Sequence, residues 1–242
     1  MSRATRVEAG PLGRFHRPDD TGGYPGLVLV HDVWGLSEHS QALAADLAAE
    51  GFGVLEIDLY RSLGDFRIED PGAHIRSLSD PEILADLDRG ADWLDTQPCC
   101  QGRKRGVLGV CMGGTFTLLA ACLSDRFAAA APFYGMLSYE HGMLFGPEGR
   151  DRARKPLSPI EAAGRLRTPL LASFGREDAF VPDRDVDALE AALATSGTVF
   201  EIDRYPGAGH AFLNRTRPEA YREDASRQAW ARVVSFLHRE LD

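Results

Sequence analysis

Chemistry is first suspected where a cysteine sits between glycines at the end of an apolar run. In GVLGVCMGGTF, residues 106–116, the run 106–110 leads straight into Cys111, and Met112-Gly113-Gly114 opens an apolar stretch of helical period. Gly109-Val110-Cys111-Met112-Gly113 therefore has the form G-x-nucleophile-x-G. Such a strand-to-helix elbow strains its central residue and brings strand and helix so close that the positions two before and two after must be small. The chemistry it serves is acyl transfer, because a helix N-terminus favours a thiolate and offers free N–H groups to an oxyanion. Alone, the motif is short enough to occur by chance. A buried structural thiol beside a glycine packing site is its plain alternative.

An elbow of this kind requires an acid and then a histidine, each just after a later strand. The apolar run 170–175 is followed by Arg176-Glu177-Asp178-Ala179-Phe180, and the run 198–205 by Pro206-Gly207-Ala208-Gly209-His210. His210 is the candidate base, and Asp178 the group that orients it through the other ring nitrogen. Singly, Asp178 could cap a helix near residue 183, Glu177 competes with it, and His210 could be an ordinary loop histidine. The order Cys, Asp, His, each after a strand, is what joins them. The first apolar run, 27–30, ends in His31-Asp32-Val33-Trp34-Gly35, where a second oxyanion donor belongs, so the backbone N–H groups of Val33 and Met112 are the expected pair. Asp32 either meets the Cys111 thiol or fixes its own loop through backbone hydrogen bonds, and the sequence leaves both open. His31 reads as structural, since a second base has no task.

The elements that must position these residues follow from hydrophobic patterning. Runs at 27–30, 53–58, 106–110, 128–134, 170–175 and 198–205 read as continuous apolar runs more than as alternation, as strands covered on both faces do. Helical periods lie between them at 38–50, 81–96, 113–124, 183–196 and 217–240, which predicts an α/β chain with a mainly parallel sheet and helices on both faces. Helix 81–96 sets Leu84, Leu87, Ala91 and Leu94 on one side and Asp86, Asp88, Arg89 and Asp95 largely on the other. The last helix repeats the signal with Tyr221, Ala225, Ala229, Val233 and Leu237, so it docks on the sheet. Segments 61–80 and 136–157 fit the alternation poorly and read as long loops of the kind that carry lids and substrate contacts.

Composition bounds the partners. The 242 residues, 44% hydrophobic and 26% charged, contain no linker that divides them, so one domain over 1–242 is expected. A net charge of −9 repels polyanions, and no basic patch argues for nucleic acid. No apolar run is long enough for a membrane span, and the opening MSRATRVEAGPLGRFHRPDD lacks the apolar region of a signal peptide, so a cytoplasmic protein is expected. Cys99, Cys100, Cys111 and Cys122 form neither C-x-x-C nor zinc spacing and are read as thiols. Nothing here sets the oligomeric state, and a monomer is compatible with it.

Several blocks in order, HDVWGLSEHSQALAADLAAEGFGVLEIDLY, GVLGVCMGGTF, FYGM, GREDAFVP and YPGAGHAFLNRTRP, followed by a final helix containing AW, resemble the dienelactone hydrolase family over residues 25–240. The resemblance implies the α/β-hydrolase fold and hydrolysis of a small lactone or enol ester through a thioester acyl-enzyme without cofactor or metal. It places Cys111, Asp178 and His210 at the triad positions and makes Tyr134 and Phe180 site-lining. Asp32, Trp34, Asn214 and Arg215 join them as substrate-binding or modulating candidates. Two positions depart from the family pattern. Asp32 stands where the best-known members have Glu, and Asn214 where they have an arginine for the substrate carboxylate, leaving Arg215, Arg61, Arg67 and Arg76 as other cations. A broader carboxylesterase, thioesterase or small peptidase on the same fold is the alternative. A non-catalytic ligand-binding member would not keep the intact Cys111, Asp178 and His210 set.

Overall fold

The computed structural model describes residues 4–64 and 66–242. Apolar runs pair side by side because a strand that is apolar on both faces must be covered on both. The resulting strands are β1 (Thr5–Gly10), β2 (Gly13–Pro18), β3 (Gly26–Val30), β4 (Gly53–Ile57), β5 (Arg105–Val110), β6 (Ala129–Phe133), β7 (Leu170–Gly175) and β8 (Phe200–Tyr205), in sheet order β1-β2-β4-β3-β5-β6-β7-β8. Neighbours from β4 through β8 are parallel, while β2 runs antiparallel to both β1 and β4. The helices are α1 (Glu38–Ala49), α2 (Pro71–Ser77), α3 (Asp80–Asp95), α4 (Met112–Leu123), α5 (Pro159–Ala162), α6 (Asp183–Leu193) and α7 (Glu223–Leu241).

Strand β3 explains the continuous apolar reading. Leu27 and Leu29 pack on one face with Leu43 and Leu47 of α1 and Val233 and Leu237 of α7. Val28 and Val30 pack on the other with Leu87 and Leu94 of α3 and Phe116 of α4. Each residue is buried on its own side, so period-two alternation vanishes from the sequence.

Four expectations change. The β1–β2 hairpin was not foreseen, because β1 lies at the sheet edge, is mostly exposed and carries no apolar run. It is anchored from within: Glu56 of β4 is fully buried, accepts from Ser40 Oγ of α1 and pairs with His16 Nε2 of β2 at 3.0 Å. Segment 61–80 contains α2 and the start of α3, so it is less irregular than its composition suggests. The last helix begins at Glu223 rather than 217, after turns in which the Arg217 N–H bonds Asn214 and the Tyr221 N–H bonds Arg217. Strand β8 likewise begins at Phe200 rather than 198.

The loop 136–157 is held to the body by a buried ion pair. Lys155 Nζ donates to Asp80 Oδ1 at 2.6 Å at the start of α3, and Tyr139 Oη donates to Asp80 Oδ2 at 2.9 Å. Both members of the pair are buried, so each depends on the other for charge compensation.

The crossing of β3, β5 and α4 leaves no room for side chains at two glycines. A Cβ on Gly113 would lie 2.1 Å from the Val30 carbonyl oxygen, and one on Gly109 2.2 Å from the Gly113 carbonyl oxygen. Backbone cannot swing aside as a side-chain tip can. Gly113→Ala should therefore cost about 3 kcal/mol, the upper end for overpacking, and lower the melting temperature by roughly 6–12 °C. Calorimetry decides it: melting within about 2 °C of wild type would show that helix and strand separate freely.

Candidate active site

The triad candidates and the residues expected around the oxyanion site sit past the C-terminal ends of parallel strands. His31 to Trp34 follow β3, Cys111 follows β5, Tyr134 follows β6, Asp178 follows β7 and His210 follows β8. Parallel pairing brings those ends to one edge of the sheet, the edge at which ligands bind in α/β folds.

Cys111 has φ +55° and ψ −120°, a conformation residues with side chains rarely adopt. Its N–H donates to the Phe133 carbonyl at 3.0 Å, and α4 begins at the next residue. The side chain is half-buried. His210 lies in the glycine-rich turn after β8, and its Nδ1 pairs with Asp178 Oδ2 at 2.8 Å. The other carboxylate oxygen of Asp178 accepts from the Phe180 N–H at 2.8 Å and the Val181 N–H at 3.2 Å, so the acid is buried and fixed in orientation. Glu177, the competitor in sequence, is exposed. The imidazole is wedged between Tyr134 and Phe180, with ring centroids 5.1 and 5.0 Å away.

Charge dominates the histidine. Burial pushes its pKa down, but the neighbouring Cys111 sulfur, the hydrogen bond to Asp178 and the Asp178 charge outweigh it and raise it to about 10. With Nδ1 committed to Asp178, Nε2 is the nitrogen left to face the thiol.

Neither the Val33 nor the Met112 N–H has a protein acceptor among the described residues. A link between their two loops was missed in the sequence: Tyr60 Oη lies 3.0 Å from the Val33 carbonyl and 3.4 Å from Met112 Sδ. The available signal was its place just past β4, at the same sheet edge as the others. Of the two readings of Asp32, the hydrogen bonding supports the loop brace, since its carboxylate accepts from the Trp34 N–H at 2.8 Å. Burial pushes that carboxyl's pKa up, while the Trp34 N–H, Arg217 and His210 act against the shift. Tyr134, at φ +38°, is buried with a hydroxyl that lacks a partner among the described residues. Burial, reinforced by the neighbouring Cys111, Asp32 and Asp178, pushes its pKa well up, so it stays a neutral phenol.

Trp34, 52% exposed, and Phe180, 45% exposed, rim the site. Beside Trp34 opens a cleft of about 630 Å³ lined in part by Asp58, Tyr60, Phe66 and Arg67. Beside Phe180 lies a recess of about 100 Å³ reaching Met136, His141 and Asp185. Asn214, which stands at the family's arginine position, and the candidate cations Arg215, Arg61 and Arg76 have partners of their own. Asn214 is buried, its carbonyl accepting from Thr216 N and Oγ1 at 2.9 and 2.7 Å, and Arg215 turns outward to pair with Asp46 of α1. Arg61 grips Asp86 with two hydrogen bonds of 2.8 and 2.7 Å, and Arg76 donates to the Met143 carbonyl at 2.6 Å. Arg217, not foreseen, donates to Glu219 at 3.0 Å. Arg67 has no partner among the described residues.

Among the described residues no three or more His, Cys, Asp or Glu side chains gather as a metal-binding group, and no helix is long and apolar enough to cross a membrane.

Residues 13–241 match the model of the dienelactone hydrolase family. A carboxymethylenebutenolidase of Rhodococcus opacus is 33% identical over 239 residues, covering 96% of this chain and 87% of that one. A crystal structure from Klebsiella pneumoniae, provisionally named a dienelactone hydrolase, superposes with TM-score 0.84 at 27% identity, covering 96% of this chain and 97% of that one. The acylaminoacyl peptidase of Pyrococcus horikoshii shares the fold at TM-score 0.74 and 21% identity, over all of this chain and 42% of the peptidase. The chain thus belongs to the dienelactone hydrolase family, with the α/β-hydrolase fold, and is a hydrolase of ester or lactone bonds.

Proposed function

We propose that this protein opens a small lactone or cleaves a small activated ester through a thioester on Cys111, with His210 as base and Asp178 orienting it. The observation that carries the reading is the 2.8 Å bond between His210 Nδ1 and Asp178, which leaves Nε2 for a sulfur at the elbow. The sulfur, its proton held on His210, attacks the carbonyl carbon, and the oxygen takes the electron pair beside the Val33 and Met112 N–H groups. Collapse expels the alkoxide or enolate, which takes the proton from His210. In a lactone this opens the ring and the product stays attached as the acyl group. Water then gives a proton to His210 Nε2 and attacks the thioester, and collapse releases the carboxylic acid and the sulfur.

The nucleophile is tested by substitution and by alkylation. Cys111→Ala should abolish hydrolysis of a lactone or a p-nitrophenyl ester, and His210→Ala should lower turnover at least about a hundredfold. Cys111→Ser should be a poor enzyme, because a hydroxyl is far less acidic and less nucleophilic than the thiol it replaces. Iodoacetamide on the native protein should modify Cys111 well before Cys100 or Cys122. Those two are buried, and burial pushes the Cys122 thiol up to about 12 and the Cys100 thiol upward as well. An active Cys111→Ala protein, or peptide mapping that finds Cys122 modified first, would overturn this assignment.

The raised pKa of His210 sets a pH limit. Its imidazolium protonates the leaving group, so kcat/KM should fall as pH rises through the neighbourhood of 10, where the proton is lost. Asp178→Asn removes one of the interactions that raise it. That variant's alkaline limb should move to lower pH, and an unmoved limb would separate the limb from His210.

The substrate's charge is read from the arginines. Since Arg61, Arg76, Arg215 and Arg217 are engaged elsewhere, a carboxylate-bearing lactone would depend on Arg67 beside the Trp34 cleft. Arg67→Ala should cost such a substrate about 1.5–3 kcal/mol, roughly ten- to a hundredfold in kcat/KM, and leave its neutral methyl ester unchanged. Wild-type preference for the neutral ester, unaffected by Arg67→Ala, would favour the broader carboxylesterase reading.

A further inference from the structure

An oxyanion donor must be aimed, and the peptide that carries the Val33 N–H is held from behind. That N–H belongs to the peptide whose carbonyl is Asp32's, and in a trans peptide the two point in opposite directions. The Asp32 carbonyl oxygen lies 2.6 Å from His31 Nδ1. Across the ring, the Leu59 N–H donates to Nε2 at 3.2 Å. A backbone amide can only donate, so Nε2 carries no proton, the proton sits on Nδ1, and Nδ1–H donates to Asp32. His31 is fully buried, and desolvation lowers its pKa, which keeps the imidazole in the neutral form this pairing requires. The next peptide is held at both ends too. Its carbonyl, that of Val33, accepts from Tyr60 Oη at 3.0 Å, and its N–H, that of Trp34, donates to Asp32 Oδ1 at 2.8 Å. The His31 and Tyr60 rings pack together with centroids 4.8 Å apart.

We propose that His31, backed by Tyr60, is a positioning residue for the oxyanion site: by clamping the Asp32 carbonyl and the Leu59 amide it fixes the Asp32–Val33 peptide and so aims the Val33 N–H at the acyl oxygen. The inference rests on the reading of Cys111 as nucleophile. A hydrogen bond accepted by a peptide carbonyl also polarises the N–H of the same peptide, so the clamp strengthens the donor as well as orienting it.

His31→Phe keeps a ring against Tyr60 and loses both hydrogen bonds, and Tyr60→Phe removes one hydroxyl. Each is measured for kcat and KM on a p-nitrophenyl ester and for the rate of Cys111 alkylation by iodoacetamide. Alkylation at sulfur develops no carbonyl oxyanion, so it reports the nucleophile alone. His31→Phe should lower kcat about 10- to 100-fold, with KM within about threefold and alkylation within about twofold of wild type. Tyr60→Phe should show the same split at smaller size. Unchanged kcat in a folded His31→Phe protein overturns the proposal, as does a parallel fall in kcat and alkylation. If His31→Phe cannot be purified, unchanged kcat in Tyr60→Phe overturns it, and the kcat-only loss supports it. Full activity in wild-type protein alkylated at Cys111 is a separate result, which removes the nucleophile and the brace together.

Discussion

The backbone of Cys111 is held at φ +55° and ψ −120°, and much of the surrounding structure exists to keep it there. A strained residue of this kind costs about 1–3 kcal/mol and persists only where its neighbours over-determine it. Here the N–H is tied to Phe133 on β6, and α4 starts at the following residue, under Val30 of β3. The helix is apolar almost all round and buried between β5, β6 and α3, so it cannot move to relieve the turn. Packing energy in the core is thereby converted into the exposure of one sulfur above the sheet edge.

Strand order then determines what can meet that sulfur. With β3 on one side of β5 and β6, β7 and β8 on the other, the loop after β3 brings N–H groups from one flank, and the loops after β7 and β8 bring the acid and the histidine from the other. The acidic side chains are affordable in such a place because each is matched by backbone donors: Phe180 and Val181 for Asp178, Trp34 for Asp32. Tyr60 closes the arrangement across the gap by touching both the β3 loop and the first residue of α4.

The parts of this site that a sequence reveals are those for which the fold prescribes a residue type at a fixed place. Gly109 and Gly113 are demanded by contacts near 2 Å, and Asp178 and His210 by their positions after β7 and β8. The β1–β2 hairpin escaped because an exposed edge strand has no core face to write into its pattern. Tyr60 escaped because its role is a hydrogen bond to residues 27 and 52 positions away, and no local spacing encodes that. The arginines could not be sorted from the sequence for the same reason. Arg215 is adjacent to the expected position, but its partner Asp46 lies 169 residues earlier, and only the packing of the loop after β8 against α1 shows it turning outward. The choice between two roles for Asp32 likewise depended on which atom its carboxylate reached.

Two histidines at the same sheet edge show how environment, rather than residue type, sets chemistry. His31 and His210 both lose water on folding, and desolvation works to strip the proton from each. For His31 the partners within hydrogen-bond reach are an uncharged amide and an uncharged carbonyl, so desolvation prevails and the ring is neutral. For His210 a carboxylate is bonded to one nitrogen and the sulfur faces the other, so charge prevails and the ring holds its proton. The neutral ring can accept on one side and donate on the other without titrating, which suits a fixed brace. The charged ring can give up its proton and recover one from water, which suits the acid and base steps proposed for it. The Asp58 and Glu56 charges act on His31 only from a distance and do not overcome its desolvation, so the division of labour at this edge follows from which ring has the Cys111 sulfur and the Asp178 carboxylate directly beside it.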